Sequence, residues 1–344
     1  MNKAGKILSI NPPRAIPGGE VFIECEGFQV ADIENFGCFF DGQAARVVGA
    51  SANRVITAVP PDADFDTTEV EVHLESGGER SNSFSITVGK KIAEDLHIVA
   101  NPAVDPQDDS IILTRSGSRG QQLPATLFRL ETTGFLTEIA ADVLNPTGIA
   151  FDRDGQLFVT ARADGEVVRL SRDEEVVPFA TDLGVASGIA FDKNGVMFVG
   201  DRGGTLYRVT DAGSPESFAL LEPSVSAYHL AFGADEKLYV TAPGLSSFDA
   251  VYRVNREGFD EVFYRGLGRP QGLAFDRAGN LYAAACAGGR HGIVRIEPTA
   301  DTAEIFVAGM NVVGLCFTRQ GDLIAATNDT VYSLPVGIEG TLLG

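Results

Sequence analysis

Five times in the later part of the chain nearly the same phrase returns. It reads "NPTGIAFDRDGQLFVTA" from Asn145, "ASGIAFDKNGVMFVGD" from Ala186, "AYHLAFGADEKLYVTA" from Ala227, "PQGLAFDRAGNLYAAA" from Pro270 and "VVGLCFTRQGDLIAAT" from Val312. Aligned on the aromatic that follows the small apolar residue, Phe151, Phe191, Phe232, Phe275 and Phe317 stand 40 to 43 residues apart. A period near forty with four short strand-like segments per unit predicts propeller blades, because one four-stranded sheet cannot bury both faces alone. In the first full unit, "TGIAF" is the innermost strand and "DRDG" a tight turn, with an Asp able to accept backbone N–H groups and a Gly able to take positive φ. "QLFVTA", "EVVRLS" and "EVVPFA" are then the second, third and outer strands.

A degenerate unit precedes these, "NPAVDPQDDSIILTRSG" followed by "ATLFRLE" and "LTEIAADVL", and brings the expected number of blades to six. The last unit, "VVGLCFT", "DLIAAT" and "TVYSLPV", runs out before an outer strand. The stretch "KKIAEDLHIVANPAV" has the outer-strand-to-inner-strand shape of "TEIAADVLNPTGIAF", so residues 90–96 are expected to supply the missing strand and close the ring. Closure removes the open edges that invite aggregation.

The first 88 residues have a different texture. "VFIECEGF", "GCFFDG", "ARVVGAS", "RVITAVP", "TEVEVHLES" and "SFSITV" alternate with period two between Gly, Pro, Asp and Asn breaks, the pattern of a β-sandwich. In "TEVEVHLES" the alternation points Val70, Val72 and Leu74 inward and Glu69, Glu71 and His73 outward. The expected fold is all-β, with a sandwich over residues 1–89 and a propeller over residues 90–344.

The sequence "INPPRAIPGGEVFIECEGF", followed by "CFFDGQAARVVGASANRVITAVPP" and "VEVHLESGGERSNSFSITV", resembles the IPT/TIG family of immunoglobulin-like domains. That resemblance implies a fold and a docking or spacer role, not a reaction. The phrase P-x-G-I-A-F-D-x-x-G-x-L-F/Y-V resembles the NHL-repeat and SMP-30/gluconolactonase-like six-bladed propellers. The latter implies a divalent metal such as calcium at the channel mouth, held by Glu, Asn and Asp from different blades, and a lactone hydrolase or related lyase activity.

The slot before the recurring glycine, which would line that mouth, holds Asn101, Thr147, Ser187, Tyr228, Gln271 and Val313. It contains no carboxylate, and the family's acidic opening is replaced by "ANP". Asn101, Asp201 and Asn328 are the remaining candidate metal ligands, and the hydrolase reading rests on Asn101, His229 and Asp201. His229, which stands where the other units have glycine, is a candidate general base or a packed residue. The Asp of each "FDRDG"-like turn is read as capping its own turn.

Arg115, Arg162 and Arg202, with Arg290 and His291 of "GGRHG", fall at or just beyond the end of a second strand. Arginines from several blades at comparable positions could form a positive funnel for a carboxylate or phosphate, with Tyr228 and Gln271 beside it. Alternatively each pairs with a nearby acid, Asp164, Glu166 or Asp201.

A net charge of −20 and the lack of a Lys/Arg-rich run argue against nucleic acid. No run approaches the roughly 18 apolar residues of a membrane span. The N-terminus lacks the apolar core of a signal peptide, so the expected location of the chain as written is the cytoplasm, or outside the cell or at its surface if a leader is missing from the sequence. Cys25, Cys38, Cys286 and Cys316 have no metal-binding spacing, and only Cys25 and Cys38 sit on neighbouring expected strands. The expectation is a binding or scaffold protein without a cofactor, taking a small anion, an acidic peptide or a protein partner. A gluconolactonase-like hydrolase is the alternative.

Overall fold

The computed structural model describes residues 5–28, 36–117, 121–210, 212–246 and 248–341. Among these every regular element is a strand, and there is no helix.

From Ala103 onward the strands pair in antiparallel runs that follow chain order, five of four strands and a last one of three. Three stand as separate sheets: Ala103–Val104 to Leu136–Ile139, Pro146–Phe151 to Val176–Ala180, and Ala186–Phe191 to Pro215–Leu220. A fourth separate sheet contains Val312–Phe317, Asp322–Thr327 and Val331–Pro335, and its outer strand is Lys90–Ala93. That strand lies antiparallel to the end of the chain, with Lys90 opposite Ser333 and Ala93 opposite Val331. Two further runs, His229–Phe232 to Asp260–Gly268 and Leu273–Phe275 to Ala303–Ala308, are linked to each other and to N-terminal strands in one larger network. The first strands of successive runs pack side by side, and Ala103–Val104 touches both Pro146–Phe151 and Val312–Phe317, so they form a closed circuit. The arrangement is that of a β-propeller.

The recurring phrase explains how neighbouring sheets adhere. Phe158 on one second strand meets Phe179 of its own outer strand at 5.1 Å and Phe191 on the next first strand at 5.3 Å, both edge to face. Phe198 does the same with Phe218 and Phe232, Tyr239 with Phe263 and Phe275, and Tyr282 with Phe306 and Phe317. Such pairs are worth about 0.5–1.5 kcal/mol each beyond the area they bury. The forty-residue period is the period of this aromatic relay. The turns after two successive first strands are held by their own acids: Asp152 Oδ1 accepts from the N–H of Asp154 (2.9 Å) and Gln156 (2.8 Å), and Asp192 Oδ1 from Asn194 and Val196.

In the N-terminal part, Lys6–Asn11, Glu20–Glu26, Arg54–Ala58 and Gln43–Ser51 form one antiparallel ladder. Phe36–Phe40, Glu69–Ser76 and Phe84–Val88 form a second. Both close on one core that includes Ile7, Ile23, Phe40, Val55, Val70 and Leu74. Cys25 and Cys38 are both buried in it as free thiols, pushed up to about 11 and about 12 by burial.

His73, expected on the outward face of its strand, is buried there rather than left to solvent. Its ring stacks on Phe39 at 5.1 Å, and Nε2 lies 3.3 Å from Glu75 Oε1. The flat contact with a cross-strand aromatic covers a face that bare alternation leaves to solvent.

The two parts are joined by Arg14–Ala15, which pairs in parallel with Phe84–Val88 on one side and with Ala303–Ala308 on the other. Ile16, fully buried, packs with Tyr282, Ile293 and Phe306 of the propeller, and its N–H donates to Ala308 O at 2.9 Å.

Candidate functional site

The channel has two unlike ends. Where the first strands begin, their recurring glycines leave no room between neighbours. A Cβ on Gly148 would lie 2.1 Å from Ser187 O, on Gly188 2.5 Å from Tyr228 O, and on Gly314 2.4 Å from Ala100 O. Hydrogen bonds stitch the same level from sheet to sheet. Thr160 Oγ1 donates to Ser187 O (2.6 Å), the Tyr228 N–H to Ser187 Oγ (3.0 Å) and Thr241 Oγ1 to Gln271 O (2.5 Å).

Arg162 and Arg202 belong to this end, since their backbone N–H groups donate to Asn145 O and Val185 O just ahead of two successive first strands. Arg202 reaches across to the next sheet, Nε to Ser224 O (3.1 Å) and a terminal nitrogen to Val225 O (2.9 Å). Arg162 is half-buried, and among the described residues its guanidinium has no hydrogen bond and no ion pair. Burial, and then the nearby positive charge of Arg202, hold its pKa below the usual arginine value. Neither arginine pairs with Asp164, Glu166 or Asp201. Asp201 Oδ1 instead accepts from the Val185 N–H at 2.8 Å, and its charge, after burial, raises the Tyr228 phenol. The structure thus gathers Arg162, Arg202, Asp201 and Tyr228 on adjacent sheets. Tyr228 is itself fully buried, with its hydroxyl donating to Glu222 O.

The other expected members of the funnel go elsewhere. Arg290 lies over the Phe22 ring at 4.1 Å and donates to Asn11 O at 2.8 Å, which makes it a tie to the N-terminal ladders. Its strand runs in the sheet against which those ladders dock, a tertiary fact that its place in the repeat does not carry. His291 beside it is exposed. Arg115 donates to Asp95 O (2.5 Å) and covers Phe128 at 5.2 Å. Gln271 is half-buried and acts through its backbone.

His229 is 3% exposed and its Nε2 has no partner among the described residues. Burial pushes its pKa down to about 4, so it sits in the fold as a neutral ring. Among the described residues no hydroxyl or thiol nucleophile is bonded to it.

The metal set implied by a lactonase does not fit. The Asn101 amide is spent at both ends: Nδ2 donates to Leu273 O (3.2 Å) and Oδ1 accepts from the Leu315 N–H (3.1 Å). Asp201 is committed to Val185, and Asn328 is an exposed turn residue. Among the described residues no three His, Cys, Asp or Glu side chains gather as a metal site would need.

The opposite end, where the tight turns lie, is open. A cavity of about 580 Å³ runs from the middle of the channel to the turns of Asp192–Asn194 and Gly233–Glu236, and extends between two successive sheets. Of the candidate site residues read from the sequence, only Asn101 lines it. The signal for it was present in the repeat, one column along from the isoleucines and leucines: Ala150, Ala190, Ala231, Ala274 and Cys316.

No family model matches the chain, and no curated protein matches its sequence. Solved structures do match in fold. An auxiliary nutrient binding protein from Bacteroides ovatus is 12% identical with a TM-score of 0.56, over 96% of this chain and 98% of that one. A gluconolactonase from Xanthomonas campestris is 14% identical with a TM-score of 0.55, over 71% of this chain and 88% of that one. The virginiamycin B lyase of Staphylococcus aureus is 15% identical with a TM-score of 0.54, over 72% and 97%. The class so defined is that of β-propellers. At these identities the likeness carries the fold and nothing beyond it. No helix among the described residues is long and apolar enough to cross a membrane.

Proposed function

We propose that the chain is a binding protein without catalytic activity, which takes a small anion or an acidic peptide segment at the end of the propeller where the first strands begin. The five four-stranded runs, and the last run with Lys90–Ala93, are read as six blades over residues 90–344. The two N-terminal ladders, residues 1–89, are read as an immunoglobulin-like module of the IPT/TIG kind that docks or spaces the propeller. The observation that carries the binding reading is the Arg162–Arg202 pair: two neighbouring guanidinium groups, one without any partner among the described residues, in a chain of net charge −20. A carboxylate or phosphate would relieve their repulsion and accept their free N–H groups. The buried, neutral His229 and the spent Asn101 amide support binding over hydrolysis.

The test is a calorimetric titration with citrate, inorganic phosphate and a short poly-glutamate peptide. A hydrogen bond to a charged group is worth about 1.5–3 kcal/mol, so Arg162→Ala is expected to weaken the best of these by about tenfold to a hundredfold. Folding should be little affected, since the guanidinium makes no hydrogen bond or ion pair among the described residues. Affinity unchanged in both Arg162→Ala and Arg202→Ala, or no binding by the wild type, sinks the reading.

A further inference from the structure

The cavity at the turn end is a large space that the binding reading above leaves unused. Its walls follow from the repeat. At the level of Ile149, Ile189, Leu230, Leu273 and Leu315 the channel is lined by branched apolar side chains. One residue further along, four alanines and Cys316 replace them, and the space widens because each wall position carries only a small group. Beyond that level the cavity turns outward between the sheets that begin at Ala186 and His229, along Phe198, Phe218 and Phe232. These rings are already fixed by the aromatic relay, so the slot exists without a ligand to hold it open. A volume of about 580 Å³ lies within the range of roughly 300–1,000 Å³ usual for small-molecule pockets, which combine apolar walls with a few placed polar groups.

The charged groups of the lining gather on one side of the opening. Lys193 and Arg256 both pair with the single carboxylate of Glu236, and Arg208 also lines the slot, paired with Glu216. Asp192, the other acid of the lining, is spent on its own turn. Among the lining residues, three cations, Lys193, Arg208 and Arg256, stand against two carboxylates, Glu236 and Asp192, which leaves one positive charge in excess.

We propose that this cavity binds a small amphiphilic anion, with its apolar chain or ring in the channel and its single acidic head group at Lys193 and Arg256. The site is separate from the Arg162–Arg202 pair and does not depend on it. The head group competes with Glu236 for the two cations, so binding weakens with added salt, while the buried chain supplies a contribution that salt does not screen.

The probe is decanoate, with decanol as its neutral counterpart and decyl phosphate as a second head group, each followed by displacement of the fluorescent amphiphile 8-anilinonaphthalene-1-sulfonate from the full chain. Decanoate and decyl phosphate are expected to displace the dye at concentrations at least tenfold lower than decanol. Lys193→Gln combined with Arg256→Gln, both well exposed positions, should weaken decanoate at least tenfold and leave decanol unchanged. Ala231→Leu, which puts bulk into the wall, should weaken all three. Arg162→Ala should change none of them, which separates failure of this site from failure of the other. The proposal is overturned if the wild type binds neither dye nor decanoate. It is also overturned if decanol matches decanoate, or if the rim double variant and Ala231→Leu both bind as the wild type does.

Discussion

At position 229 the repeated phrase gives up its glycine for histidine, at a level where other sheets cannot accept even a Cβ. The ring is accommodated but not hydrogen-bonded at Nε2, and this gives the fold a pH dependence whose sign can be worked out. The ordinary value is 6.5 and the folded value about 4. The unfolded chain therefore binds the proton more readily between those limits, and protonation favours unfolding. Stability is complete above about pH 6.5 and is lost progressively as the pH falls towards 4. At about 1.4 kcal/mol per pH unit, the loss from this residue approaches about 3 kcal/mol. Denaturant midpoints at pH 7 and pH 4.5 check it: the wild type should lose more than His229→Leu over that interval. Equal losses would mean that the ring is not held neutral.

Residue identities also show what could be read in advance. The turn acids were legible as turn caps because an Asp followed by Gly in a repeated tight turn has its N–H partners two and four residues away. His73 was misread because alternation records which side of a strand a residue takes, not whether a neighbour such as Phe39 covers that side. Arg290 was misplaced for a related reason: its partners, Asn11 and Phe22, lie far away in the chain.

Among the elements, the first and second strands of each unit do most to hold the ring. Phe198 touches both Phe218 behind it and Phe232 in the next sheet. Phe198→Ala should cost about 3–5 kcal/mol, as large truncations of buried aromatics do, and Phe198→Leu distinctly less. Gly188→Ala makes the opposite error, with a Cβ 2.5 Å from Tyr228 O, and should cost about 1–3 kcal/mol although it removes no contact. Both are measured as shifts in the urea midpoint, and a neutral Gly188→Ala would mean that the first strands can separate there. The repeat revealed these strands and their order because burial on both faces makes them apolar and regular. It did not reveal which end of the channel opens. Glycine at one level and alanine at another are both small in sequence, and only the convergence of the strands decides which leaves space.

For the molecule as a whole, Ile16 and the Arg14–Ala15 strand make the two parts mechanically continuous. Ile16→Ala should cost about 2–5 kcal/mol and lower the unfolding of both parts together. Two separated transitions in calorimetry, with only the N-terminal one shifted, would refute that coupling. A chain begun at residue 97 lacks Lys90–Ala93 and exposes the edge of Val331–Pro335. Light scattering should show it associating at concentrations where the full chain does not.

The same sheet imposes an order of events on synthesis. A chain made from its N-terminus completes the first ladders at Val88 and then presents Lys90–Ala93 with no partner. Nothing can satisfy that strand until Val331 emerges, after every other sheet has had the opportunity to form. The ring is therefore latched last, by its oldest and youngest strands. Until that moment the nascent propeller is an open arc.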